Sequence, residues 1–228
     1  MGIGSRLKSN WKHDRETLKA LPFRQKLGFL ADYYRWVILL LLILFLLFYY
    51  IGDLVWQSHQ TIDLQGFFLN DRQDLFPARK LTDEFSDYQN TPSGHRIAFE
   101  DSLYVDLDSS SEYNAASQGK LVAYIAAREL DFLVAPEELA RYYAQSFLLY
   151  DLEELLPASL AEYLQEDFYY AADETGKEKA CGLNLCRSRF LQDPAYDGKE
   201  QYYLLVLSYT PHTDAMVSFI RYAYNLDS

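Results

Sequence analysis

An α/β domain with a mixed, largely parallel sheet, preceded by one membrane-spanning helix, is the architecture that this 228-residue sequence predicts. Three observations predict it. From residue 60 onward, short β-rich runs alternate with stretches of helical periodicity, the pattern of a sheet built by crossover connections. Trp36 to Ile51 carries no charge and, continued through Gly52 and Asp53 to Trp56, reaches the roughly 20 residues that a spanning helix needs. Charge divides at the same place: residues 1–36 hold eight Lys/Arg against three Asp/Glu, whereas residues 57–228 hold 13 against 29.

The N-terminal 36 residues read as a basic, cytoplasmic segment. Pro22 suits the first turn of a helix, and Phe23, Leu27, Leu30 and Tyr34 follow on one face. This stretch either lies on anionic lipid head groups or is a solvated basic flank that fixes topology. Met1-Gly2-Ile3-Gly4-Ser5-Arg6 has Arg6 where a myristoylation signal wants Ser or Thr, so no lipid anchor is read there. Residues 37–56 read as an uncleaved signal anchor. A cleavable peptide would have a shorter basic region and small residues at its end, where this chain has Tyr49, Tyr50 and Trp56. Tyr33, Tyr34 and Trp36 at one end, with those three at the other, make interfacial belts. Arg24, Lys26 and Arg35 precede the span, so the positive-inside rule places the N-terminus in the cytoplasm and residues 57–228 outside the cell membrane.

Within residues 57–228, Ile62–Leu69 reads as a first strand and Leu81–Tyr88 as a helix ending before Asn90-Thr91-Pro92-Ser93-Gly94. Ile97–Leu107 reads as the second strand. Ser117 is expected to cap a helix carrying Leu121, Ile125 and Arg128, and Phe132, Leu133 and Val134 to form a buried third strand. Pro136 opens the next helix, with Glu137 and Glu138 in its first turn. Tyr202–Tyr209 is the clearest strand. After it, Thr210 is expected to cap, and Pro211 to start, a last helix with Met216, Phe219, Ile220 and Ala223 on one face.

Gly119-Lys120-Leu121-Val122-Ala123-Tyr124-Ile125-Ala126-Ala127-Arg128-Glu129-Leu130-Asp131-Phe132-Leu133-Val134 resembles the helix-then-strand segment of extracellular solute-binding proteins of sugar ABC transporters. Phe147-Leu148-Leu149-Tyr150-Asp151-Leu152, the pair Phe219-Ile220 and Lys179-Ala180-Cys181-Gly182-Leu183 resemble later segments of that family, although Cys181 replaces an aromatic and no proline follows. Lys26-Leu27-Gly28-Phe29-Leu30-Ala31-Asp32-Tyr33-Tyr34-Arg35-Trp36 is similar to the entry to the span in uncharacterised single-pass proteins of Gram-positive bacteria. The resemblance implies a periplasmic-binding-protein-like (type II) fold. Full members use a longer chain to build two lobes, and here there is room for one.

Ligands of open α/β sheets bind beyond the carboxyl ends of the strands. The candidate ligand residues are therefore Asn70 and Asp71 after the first strand, Asp106 and Asp108 after the second, Glu137 after the third, and Tyr209 and Thr210 after the last. All of these types are also ordinary turn and cap residues. The aromatics, 20 Tyr, 14 Phe and 3 Trp, could stack on sugars, but Tyr142, Tyr143, Tyr163, Tyr169, Tyr170, Tyr222 and Tyr224 fall on helix-like patterns, where half-buried tyrosine is normal packing.

Catalytic signals are weak. Asp106-Leu107-Asp108 has the spacing of a haloacid-dehalogenase-type phosphatase pair, but the acidic pair that should later hold Mg²⁺ is absent. The same segment, continued to Glu112, lacks the glycine and glutamate of a calcium loop. His13, His59, His95 and His212 show no zinc spacing, and no Walker, GxSxG or GxGxxG motif occurs. Cys181 and Cys186 could close a small disulfide or stand as separate thiols. The acidic balance disfavours nucleic acid. The expectation is a non-catalytic, single-pass membrane-anchored binding or interaction module of the cell envelope. It needs no cofactor or metal, and its partners are the lipid bilayer and an envelope or membrane protein. Capture of a small solute such as a sugar for an ABC transporter is the alternative, and an envelope phosphatase a weaker one.

Overall fold

The structure is a computed structural model and describes residues 35–58, 60–172, 178–192, 196 and 198–226. The amphipathic Phe23–Tyr34 stretch, most of the cytoplasmic segment and the side chain of Trp56 lie outside the described ones. The chain divides into two units, Met1–His59 and Gln60–Ser228. In the first, Arg35–Ser58 forms helix α1, whose side chains from Leu39 to Ile51 are exposed. The uncharged part of α1 ends at Gly52, about 17 residues or about 26 Å at 1.5 Å per residue. Among the described residues, no helix is long and apolar enough to cross a membrane.

The second unit begins with β1 (Thr61–Phe68), α2 (Ala78–Gln89), β2 (His95–Glu100), α3 (Glu112–Ala127) and β3 (Phe132–Pro136). After these come α4 (Glu137–Ser146), α5 (Leu152–Leu155), α6 (Ala158–Leu164), β4 (Phe168–Ala172), β5 (Glu178–Asn184), β6 (Tyr202–Val206) and α7 (Thr213–Ala223). The six strands make one sheet in the order β2-β1-β3-β6-β5-β4. β1 is parallel to both β2 and β3, and β6 runs antiparallel to β3 and β5, as β4 does to β5. The sheet is therefore mixed, with parallel pairing confined to its β2-β1-β3 half, and the expectation of a largely parallel sheet is corrected.

Period-two alternation along the strands feeds two cores, one on each face. Leu64, Phe68, Phe132, Val134, Tyr202, Leu204 and Val206 share the first core with Leu81 and Phe85 of α2 and with Met216, Phe219 and Ile220 of α7. Phe67, Leu69, Leu133, Ala135, Tyr203 and Leu205 share the second with Leu121 of α3 and with Leu139, Ala140 and Tyr143 of α4. Helices thus cover both faces. Because every strand residue of β3 and β6 is buried, these strands read as continuous apolar runs.

Several boundaries differ from the sequence reading. β2 stops at Glu100; Leu103 and Val105 are buried in the second core without joining a ladder, so their alternation mimics a strand. Ser111, not Ser117, caps α3, accepting the Asn114 N–H at 3.2 Å, and Ser117 is buried inside the helix. Arg128 ends α3 in the left-handed region at φ 58°. β6 stops at Val206, and α7 begins at Thr213 after Pro211 rather than at it. Tyr169 and Tyr170 lie on β4, not on a helix. The two cysteines are unpaired. Cys181 is the extra residue of a bulge in β5, opposite the Tyr169/Tyr170 step, and is buried, whereas Cys186 is exposed in the 3-10 turn Leu185–Arg187.

Candidate functional site

The chain leaves β1 for α2 and β2 on one side, and its third strand returns on the other side of β1. This places a topological switch point between β1 and β3, where the two connections diverge and leave a crevice at the carboxyl ends. A cleft of about 440 Å³ opens there. Asn70 follows β1, the loop carrying Asp106 and Asp108 forms one wall, and Glu137 with Glu138 forms the first turn of α4 after β3. Four of the seven expected residues, Asn70, Asp106, Asp108 and Glu137, meet at this cleft.

Each has a local reason to be there. Asn70 takes φ 57°, a left-handed conformation that asparagine tolerates better than most residues. Its amide clamps the backbone of Val105, donating to the carbonyl at 2.8 Å and accepting from the N–H at 2.7 Å. Asp106 Oδ1 accepts the Asp108 N–H at 2.9 Å, a local turn rather than the strand-end nucleophile of a phosphatase. Glu137 pairs with Arg141 one helical turn on, and its backbone N–H reaches the Gln201 carbonyl at 2.9 Å. The remaining walls come from residues the sequence did not single out: Arg72, Tyr104, Lys199, Glu200 and Gln201. Arg72 bonds to the Tyr104 hydroxyl and stacks 5.0 Å over its ring. The single Tyr202 O–H is shared between the Asn70 carbonyl at 3.2 Å and Glu200 Oε2 at 3.1 Å; burial, with Glu200 beside it, holds this phenol well above its usual range.

Asn114 holds the loop wall. It is buried, accepts the Asp106 N–H at 2.9 Å and donates to the carbonyls of Asp106 and Ser109. Asn114→Ala leaves these loop groups without partners, at an expected cost of about 2 kcal/mol. The check is faster amide exchange at Asp106 together with a lower denaturation midpoint. Exchange at Asp106 no faster than in the parent would show that Asn114 is not the clamp.

Asp71, Tyr209 and Thr210 do not line the cleft. The Asp71 carboxylate accepts the N–H groups of Leu75 and Phe76 at 2.9 and 2.6 Å, pinning the turn before α2. Tyr209 and Thr210 lie at the opposite end of the sheet. Because β6 is antiparallel to β3, the segment after it emerges where β3 begins, and it is the segment before it, Lys199–Gln201, that reaches the cleft.

At that far end, Asp131 is buried and accepts the Gln65 N–H at 2.6 Å, the Thr210 hydroxyl and the Nδ1–H of His212 at 3.0 Å. An acceptor-only carboxylate fixes the His212 proton on Nδ1. Burial, with Asp131 nearby, pushes the Tyr209 phenol up to about 12, and its hydroxyl has no hydrogen-bond partner among the described residues. A shallow pocket of about 330 Å³ beside His212 includes Asp63, Thr91 and Asp214. The described bonds of the His212 ring run to Asp131. Among the described residues, no group of three or more His, Cys, Asp or Glu side chains could hold a metal ion.

Comparison with known protein families finds no family model that matches this chain, and comparison with curated proteins finds no match either.

Proposed function

We propose that this protein is a membrane-anchored, non-catalytic binding module of the cell envelope, acting through the cleft at the β1/β3 switch point. The observation that carries the reading is where that cleft lies: a mixed-charge crevice at the place where open α/β sheets hold their ligands. Asn70, Arg72, Asp106, Glu137 and Glu200 are tied to neighbours by an Asx turn, a clamp, hydrogen bonds and an ion pair, which suits a preformed binding surface better than acid–base chemistry. Anchoring is supported by the run of exposed apolar side chains on α1, by Leu54, Val55 and Trp56 beyond Asp53, and by the basic residues before the helix. The exposed Leu107, Val122 and Tyr142 beside the cleft favour a macromolecular partner, which can cover apolar surface that a small solute would leave in water.

Capture of a small solute is the second reading, because about 440 Å³ falls within the range of small-molecule pockets. One experiment separates the two. A photoreactive phenylalanine at Lys199, exposed on the cleft, is expected to give a discrete cross-linked adduct in intact cells, while the same group at exposed Glu162 on α6 gives none. Loss of that adduct, with a thermal shift of the protein on adding a sugar, would transfer the assignment to solute capture.

A further inference from the structure

A second, separate depression lies along α4 beside the cleft. Glu137, Glu138 and Leu139, the first turn of α4, line the acidic cleft, while Tyr142, Tyr143 and Ser146, one to two turns on, line an apolar groove between α4 and α3. Glu138 and Tyr142 are four residues apart, as are Leu139 and Tyr143, so each pair stacks on one helix face. Leu107 lines both depressions and forms the saddle between them. The groove is bare: Leu107 is 41% exposed, Val122 59% and Tyr142 49%, values that leave apolar surface in water on a domain rich in charge.

We propose that cleft and groove form one trough for a positively charged, amphipathic polypeptide segment of an envelope partner, an inference that rests on the binding-module reading and names its ligand class. Charge complementarity selects the occupant. Asp106, Asp108, Glu137, Glu138 and Glu200 line the cleft against Arg72 and Lys199. Several of these charges are engaged: Arg72 with Tyr104, Glu137 with Arg141, Glu200 with Tyr202. Asp108 and Glu138 have carboxylates without a described partner, and these are the groups that meet a lysine or arginine. The acidic end excludes an anionic peptide or an anionic lipid surface by like charge. The apolar end is not satisfied by a small cation. From Glu138 to Ser146 the trough runs about 12 Å, room for roughly eight helical residues or four extended ones.

The test uses the full chain in zwitterionic lipid nanodiscs, with empty discs subtracted, titrated with a labelled twelve-residue Lys/Leu peptide and read by fluorescence anisotropy. Saturable binding is expected, weakened at least tenfold by Val122→Asp and by the double variant Asp108→Lys/Glu138→Lys, and unchanged by Glu162→Lys, which matches the sign of the charge change on another helix. All the altered side chains are exposed, and an unchanged melting temperature verifies that each variant is folded. A Lys/Ser peptide, a Glu/Leu peptide and spermine should each bind at least tenfold more weakly. Equal binding of the Lys/Ser peptide or spermine would reduce the trough to a charge patch. Equal binding of the Glu/Leu peptide would reduce it to a greasy groove, and insensitivity to the trough variants would overturn the proposal. If no peptide binds while the Lys199 photo-adduct persists, the peptide class is wrong and the cleft reading stands; if the adduct fails as well, both fall.

Discussion

Truncating Phe132 to alanine is expected to lower the unfolding free energy by about 4 kcal/mol, the upper part of the range for an aromatic lost from a packed core. Phe132 is fully buried at the centre of an aromatic cluster. It stacks on Phe219 with ring centroids 4.7 Å apart and presents edges to Phe68 at 5.9 Å and Phe99 at 5.7 Å, so its loss empties the seam between β1, β2 and α7. Its ring lies over Gly66, its direct partner across the β1–β3 pair; a Cβ added at Gly66 would sit 2.1 Å from the ring. Gly66→Ala should therefore also destabilise, by about 3 kcal/mol, because overpacking must displace a ring that has nowhere to go. The two losses should not add. In the Phe132→Ala background the Gly66→Ala change should cost well under 1 kcal/mol, since the obstructing ring is gone. Urea denaturation of the four proteins measures this, and additive costs would show that the two sites do not share the contact.

The second large effect is at Asp131. Removing the carboxylate by Asp131→Ala strands the buried Gln65 N–H and the Thr210 hydroxyl and frees His212 from its partner, for an expected loss of about 3–5 kcal/mol at about 1–3 kcal/mol for each donor left unsatisfied. Asparagine should not rescue it. All three neighbours donate, and an amide offers one acceptor atom and turns its NH₂ toward a donor, so Asp131→Asn should recover less than half of the loss. If the asparagine variant unfolds within 1 kcal/mol of the parent, one of the three donors is satisfied elsewhere and the account of this junction is wrong.

What the sequence disclosed and what it concealed have separate physical causes. β1, α2, β3 and α4 were legible because burial enforces their periodicity: Leu64 and Phe68 against Phe67 and Leu69, or the run Phe132–Ala135 with Pro136 and Glu137 marking the next start. The false extension of β2 to Leu107 arose because Leu103 and Val105 are buried for the same hydrophobic reason without ladder bonds. Asn70, Asp106, Asp108 and Glu137 were found because turn chemistry after strands can be read locally. Strand direction cannot be read that way. Tyr209 and Thr210 were misplaced, and Lys199–Gln201 missed, because β6 was taken to run parallel to β3. A signal existed: Ala172 and Glu178 are joined by a link too short for a crossover helix, which forces the β4–β5 hairpin and announces an antiparallel half.

The position of β6 has a consequence for how the molecule is made. It is the last of the described strands in sequence, yet it stands in the interior of the sheet, and among the described strands it alone bonds both to β3 and to β5. Until Tyr202–Val206 is available, the parallel trio and the β4–β5 hairpin have no shared edge, and their facing strands present unpaired backbone groups. Closure across β3–β6 also joins residues about 70 positions apart, a loop whose entropy must be met before any contact rewards it. A chain emerging N-terminus first therefore cannot complete this sheet until Tyr202–Val206 is free. A stop a few residues short of the end of β6 would leave two half-sheets rather than a slightly shortened domain.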